Sequence, residues 1–222
     1  MLTDFQSLVD ALVRDESGTI AASARDQAIA LAATRYSADR PATSVVDVVA
    51  ADGFFLDLPA GWVAGFSRVL ELECPPDRVP PVLIRPDRWS MYQGIAATRI
   101  MLADGIAGGT TVRIRFTIPH QVTDLVDTIP EQDREAVANW AAALLLDELA
   151  NAFSGHSQPT IQADSVNHQS KGRDYGRRAE TSRQLYLDHL GIDPKRNVAA
   201  GAVVTIPSRN SLGGPRLVHR RP

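Results

Sequence analysis

Thirteen residues from Val166 to Arg178, VNHQSKGRDYGRR, gather His168, Ser170, Lys171, Asp174, Tyr175 and three arginines. Side chains of these types can supply a nucleophile, a base or a cradle for an anion. Nucleophilic catalysis needs a hydroxyl within hydrogen-bond reach of its base and a third group that orients the base. Ser170 with Lys171 or His168 would have to meet that need, but neighbouring residues on a helix point about 100° apart, so Ser170 with Lys171 does not make such a pair. Relative to Tyr175, Ala179, Ser182 and Tyr186 share one helical face, whereas Arg173, Arg177, Arg178 and Arg183 spread over the polar remainder. The tyrosines therefore read as packing residues and the arginines as contact residues. Gly172 and Gly176, four apart, offer a close approach to another helix, at a cost of about 1 kcal/mol each relative to alanine.

No other constellation makes a stronger case for catalysis. The chain lacks a nucleophile elbow, a phosphate-binding glycine loop and an HExxH pair. His120, His156, His168, His189 and His219 are scattered without ligand spacing, so no metal and no cofactor is expected. Cys74 is the single cysteine, which excludes an intrachain disulfide and suits a reducing compartment. GIAGG at Gly105–Gly109 precedes a strand rather than opening a helix, so it reads as a turn. Asp147 and Glu148 are adjacent and mark a solvated or interfacial edge. A basic helix could touch phosphates, but this one also carries Asp164, Asp174, Glu180 and Asp188, lacks interleaved aromatics, and belongs to a chain of net charge −3. A protein interface fits that mixture better.

The elements that must position these residues follow from periodicity. With 44% hydrophobic and 22% charged residues in 222, the composition is that of a soluble globular protein. No apolar run approaches the roughly 20 residues of a membrane span, and the acidic start MLTDFQSLVDALVRD is unlike a signal peptide. Leu2, Phe5, Leu8, Val9 and Leu12 predict a first helix over about Thr3–Arg14, with Thr3 and Gln6 as a capping box. Ile20, Ala24, Ala28, Leu31, Ala32 and Tyr36 predict a second, ended by Pro41. Together they form an N-terminal helical hairpin, 1–41.

From Thr43 the pattern changes to short β-rich runs broken by Asp-Gly, Gly-Gly and prolines: TSVVDVVAADGFFLDLP, SRVLELECP, VPPVLIRP, RWSMYQG, ATRIMLA and TTVRIRFTIP. They predict an antiparallel sandwich or open barrel of about six strands, 42–120. Asp-Gly at Ala51–Gly53 signals a hairpin. Val112, Ile114, Phe116 and Ile118 form an inward face, with Arg113, Arg115 and Thr117 opposite.

Helix returns over 121–191. Thr128 and Glu131 have capping-box spacing with Pro130 in the first turn, and Val137, Trp140, Ala141, Leu144, Leu145, Leu149 and Phe153 cover enough surface for a central buried helix. A last helix is predicted from an Asp164 N-cap to Leu190, stopped by Gly191 and Pro194. Residues 192–222, rich in Gly, Pro and Arg around AGAVVTIP, read as an extended arm. The fold class is α+β.

The order of these parts resembles the head-to-tail connector (adaptor or neck) proteins of tailed bacteriophages, most clearly in DGFFLDLPAGWVAGF, the segment starting at Thr128, and ADSVN. The resemblance covers the chain to about Gly191. It implies a structural virion protein, made in the host cytoplasm and not an enzyme, whose helical core builds a ring, commonly twelve-fold, beneath the portal. The expected partners are further copies, the portal and a stopper or tail protein, with non-specific contact with genomic DNA in the lumen and none with a membrane. The candidate interface residues are Arg173, Arg177, Arg178 and Arg183 on the last helix, and Val203, Val204, Ile206, Arg216, Arg220 and Arg221 in the arm. The alternatives are a stopper, tail terminator or baseplate-attached module and, further off, a small enzyme.

Overall fold

Apolar residues at helical spacing open and close this chain, and β-branched runs fill its middle. The computed structural model describes residues 1–15, 18–51, 53–95, 97–154 and 168–193. Its helices are α1 Leu2–Val13, α2 Ala22–Asp39, α3 Arg134–Ser154 and α4 His168–Leu190. Its strands are β1 Ala42–Val49, β2 Gly53–Leu56, β3 Val69–Glu73, β4 Trp89–Gln93, β5 Thr98–Ile106 and β6 Thr111–Ile118. The fold is α+β. Contacts divide the described residues into a helical unit and a β unit, cut between Ala42 and Thr43 and again between Ile118 and Pro119. No described helix is long and apolar enough to cross a membrane.

In the helical unit, α3 is the hub. Ala136, Val137, Ala138, Ala141, Ala142, Ala143, Leu145, Leu146 and Leu149 are all buried, so the helix is apolar around most of its circumference, and α1, α2 and α4 all pack on it. Its alanines let the neighbours approach, and each larger aliphatic side chain it buries contributes about 1.5–3 kcal/mol. α1 and α2 touch each other far less than they touch α3. α4 ends as its sequence demands. Gly191 adopts φ 68°, its N–H bonds Asp188 O at 3.1 Å, and the N–H of Ile192 bonds Leu187 O at 2.9 Å, the paired bonds of a Schellman stop.

Several local expectations give way to longer-range contacts. α1 starts at Leu2, so Thr3 lies inside it and forms no cap. Gln6 instead donates to Asp26 Oδ1 at 2.7 Å, and Asp4 occupies the first turn. In α2, Ile20 precedes the helix and Leu31 is exposed, while Ile29 and Ala33 join the core. Thr128 does not cap α3, because a 3-10 turn at Glu131–Asp133 intervenes and the Thr128 hydroxyl accepts the Gln121 N–H at 2.8 Å. The Asp164 N-cap lies outside the described residues, as does the arm beyond Asp193.

The β unit holds two three-stranded sheets, ordered β1–β6–β3 and β2–β5–β4. Leu72, Val112, Ile114 and Phe116 of the first sheet and Leu56, Ile100 and Leu102 of the second share one core. Ala51–Gly53 therefore closes no hairpin, because β1 and β2 belong to different sheets, and Asp52 itself is outside the described residues. Asp-Gly permits a sharp change of direction, but the pairing partner is chosen by side chains far along the chain. VPPVLIRP forms no strand, only a single bridge from Leu83 to Glu73, since Pro80 and Pro81 lack the amide donors of a ladder. The alternation in β6 holds at Val112, Ile114 and Phe116 but breaks at Thr117, which is buried with its hydroxyl accepting the Arg68 N–H at 2.9 Å.

Candidate functional site

α4 is held to α3 by contacts spread along its length. Near its start, Gly172 faces α3 so closely that a Cβ there would lie 3.2 Å from Ala150 O, and Phe153 stacks on Tyr175 with ring centroids 5.5 Å apart. Near its end, Trp140 packs on Tyr186 at 4.8 Å. Gly176 meets nothing within 4 Å, so one glycine of the pair serves this packing and the other does not. Tyr175 is half-buried, and Ala179 and Tyr186 are fully buried, as the helical face requires.

The four α4 arginines divide into two pairs. Arg178 is half-buried, and its Nη2 donates to Leu12 O at 3.0 Å and to Val13 O at 2.8 Å, satisfying carbonyls at the C-terminal end of α1. Its guanidinium also lies 5.6 Å from the centroid of the Tyr175 ring. Arg183 forms an ion pair with Asp147 of α3. Both of these candidate interface residues have partners inside the helical unit. Arg173 and Arg177 are exposed and have no ion-pair partner among the described residues. Val203, Val204, Ile206, Arg216, Arg220 and Arg221 lie outside the described residues.

A cleft of about 620 Å³ opens beside Arg178, lined by Leu12, Arg14, Phe153, Lys171, Asp174 and Tyr175 among others. It contains cations and an aromatic pair but no nucleophile hydrogen-bonded to a base. Among the described residues, no three His, Cys, Asp or Glu side chains converge as metal ligands. Cys74 is partly buried, and that burial pushes its thiol above the ordinary range, opposite to the shift that makes a cysteine reactive.

The densest polar centre of the helical unit surrounds Asp133, in the 3-10 turn just before α3. Asp133 is 2% exposed, and its carboxylate accepts hydrogen bonds from the Tyr36 hydroxyl, from Arg40 Nη1 at 3.2 Å and from His189 Nε2 at 2.7 Å. An ionised carboxylate only accepts, so each of these groups donates. Burial by itself would raise the Asp133 pKa. The hydrogen bonds from Tyr36 and His189 and the charge of Arg40 outweigh it and hold the carboxyl below its usual value. Burial, then the Asp133 carboxylate, pushes the Tyr36 phenol up to about 12.

A second layer braces this centre. Tyr186 OH donates to Asp39 Oδ2 at 2.7 Å, and Arg35 Nε donates to the same oxygen at 2.8 Å. His120 Nε2 lies 3.0 Å from Arg40 O just past the end of α2, its Nδ1 lies 3.0 Å from Thr128 O, and its ring packs at 4.9 Å on that of Tyr36. The end of α2, the start of α3 and the end of α4 thus meet on one buried anion. Both carboxylate oxygens are engaged by donors, which makes Asp133 a structural anchor of the helical unit. No local pattern could have revealed this, because Tyr36 and Asp133 are 97 positions apart. Compared with models of protein families and with curated proteins, the chain matches none.

Proposed function

We propose that this protein is a head-to-tail adaptor of a tailed bacteriophage, a structural component that forms a ring beneath the portal and joins the DNA-filled head to the stopper or tail. One observation carries the reading: a β unit, Thr43–Ile118, leaves and re-enters a helical unit between α2 and α3. This is the order of parts in the connector resemblance. The helical unit is braced internally by the Asp133 centre and the α3 hub, which suits a subunit of a rigid ring. Exposed Arg173 and Arg177 on α4 are left for neighbouring copies, the portal or passing DNA.

Electron microscopy of assembled particles, with the protein labelled, tests this. The label is expected in the neck, and purified protein mixed with portal is expected to form rings on it. A monomer in isolation is compatible with assembly on the portal alone. Label at the tail tip or baseplate would replace the adaptor by a tail component, and absence from the particle would end the reading.

A further inference from the structure

We propose that the turn Thr123–Val126 of one copy of this chain inserts into the cleft at the far end of α1 in the next copy, with Leu125 as its anchor and Asp124 as its charge. Leu125 is 88% exposed and Val126 44%, beside the exposed side chain of Asp124. Single exposed leucines are ordinary on protein surfaces, but this one stands on a braced turn. The Thr123 N–H bonds Val126 O at 2.8 Å, and the Thr123 hydroxyl accepts the Val126 N–H at 2.9 Å. A bridge between Val122 and Asp127 closes the base, and the Leu2 N–H bonds Thr123 O at 3.2 Å, fixing the turn to the start of α1. Docking a turn held in this way costs little ordering of the chain. Its charge is uncompensated. Asp127 pairs with Arg134 and with the amino group of Met1, whereas Asp124 has no ion pair or hydrogen bond among the described residues.

The cleft beside Arg178 has the complementary character. Leu12, Phe153 and Tyr175 give it an apolar lining, and Arg14 and Lys171 add cations with no ion-pair partner among the described residues. Arg178 is already bound to the Leu12 and Val13 carbonyls, so Arg14 and Lys171 are the charges left for a ligand. Asp174 is the one acid of the lining, and the balance stays positive. A volume of about 620 Å³ admits a leucine with its neighbours. Stacking on a nucleobase is a poor alternative occupant. Phe153 and Tyr175 stack on each other, with Lys171 Nζ 6.0 Å from the first ring centroid and the Arg178 guanidinium 5.6 Å from the second. An apolar side chain carrying a carboxylate beside it fits this lining better.

Turn and cleft lie at opposite ends of one helix. Leu2 holds the turn and Arg14 lines the cleft, about 18 Å apart along the axis at 1.5 Å per residue. A molecule therefore cannot seat its own turn, and the occupant is a second copy. A knob and a hole on different surfaces of the same unit make a heterologous contact, which repeats head to tail and closes into a ring where the rotation allows. The inference does not rest on the adaptor reading, although a contact of this kind is what a ring needs between neighbours. It is tested on the purified chain without portal, so either reading can fail alone.

Sedimentation velocity of the full-length protein over a range of concentrations is the test. Wild type is expected to associate beyond dimers as concentration rises. Leu125→Asp spoils the knob and Lys171→Glu the cleft, both at exposed positions. Each is expected to weaken association at least about tenfold, the scale of a lost interface anchor, with an unchanged melting curve. An equimolar mixture of the two variants is expected to form dimers and stop there, because one variant keeps the cleft and the other keeps the turn. Wild type that stays monomeric at every concentration overturns the contact, and so does association that Leu125→Asp leaves intact. Wild-type association that ends at dimers would show a two-fold contact and overturn it as well, as would a mixture that fails to pair.

Discussion

The Tyr36 hydroxyl donates to the Asp133 carboxylate across 97 positions of sequence, tying the last turns of α2 to the start of α3 inside the helical core. Tyr36→Phe removes one donor while Arg40 and His189 keep the charge compensated, so the expected loss is about 1–2 kcal/mol. Asp133→Ala strands the buried Tyr36 hydroxyl and removes the shared partner of the exposed Arg40 and His189, and is expected to cost more, about 3 kcal/mol. Urea unfolding followed by circular dichroism measures both.

The same pair sets a pH dependence at each end of the scale. The Asp133 pKa is lower folded than unfolded, so its contribution is present above the unfolded value of about 3.9 and is lost as pH falls through the lower folded value. Tyr36 is raised to about 12 from 10.0, so its contribution is complete below 10 and is lost as pH rises toward 12. Melting temperature is expected to fall below pH 4 in the wild type and less steeply in Asp133→Asn. Tyr36→Phe is expected to flatten the alkaline limb.

The α4 arginines separate stability from assembly. Arg178→Ala uncovers the Leu12 and Val13 carbonyls and the Tyr175 ring, and is expected to lower stability by about 1–2 kcal/mol. Arg173→Ala and Arg177→Ala change exposed positions and are expected to stay within about 0.5 kcal/mol of wild type. Thermal melts check the first contrast, and on the proposed adaptor reading cosedimentation with portal is expected to weaken in the Arg173 and Arg177 variants with folding unchanged.

Gly172 and Gly176 are expected to respond to alanine with opposite signs. Gly176→Ala fills open space in a helix and gains about 0.5–1 kcal/mol. Gly172→Ala puts a methyl 3.2 Å from the Ala150 carbonyl and 3.5 Å from Ser154 N, both backbone atoms of α3, and pushes the helices apart. Melting temperatures of the two variants decide it, and a gain at Gly172 would show that α3 and α4 separate without cost.

Periodicity in the sequence was enough to establish the α+β class, the buried hub of α3, the inward face of β6 at Val112, Ile114 and Phe116, the Tyr175–Ala179–Tyr186 face and the Gly191 stop. Each depends on residues within a few positions of one another, where a helix or strand repeat reports directly which face is buried. Tertiary structure alone decided that β1 and β2 join different sheets, that Thr128 ties a loop rather than capping α3, that Arg178 caps α1, and that Asp133 sits among Tyr36, Arg40 and His189. A repeat says that a face is covered, but the covering residue lies elsewhere in the chain. A buried charge is tolerated only when distant donors arrive together, and that meeting is a property of the packed chain.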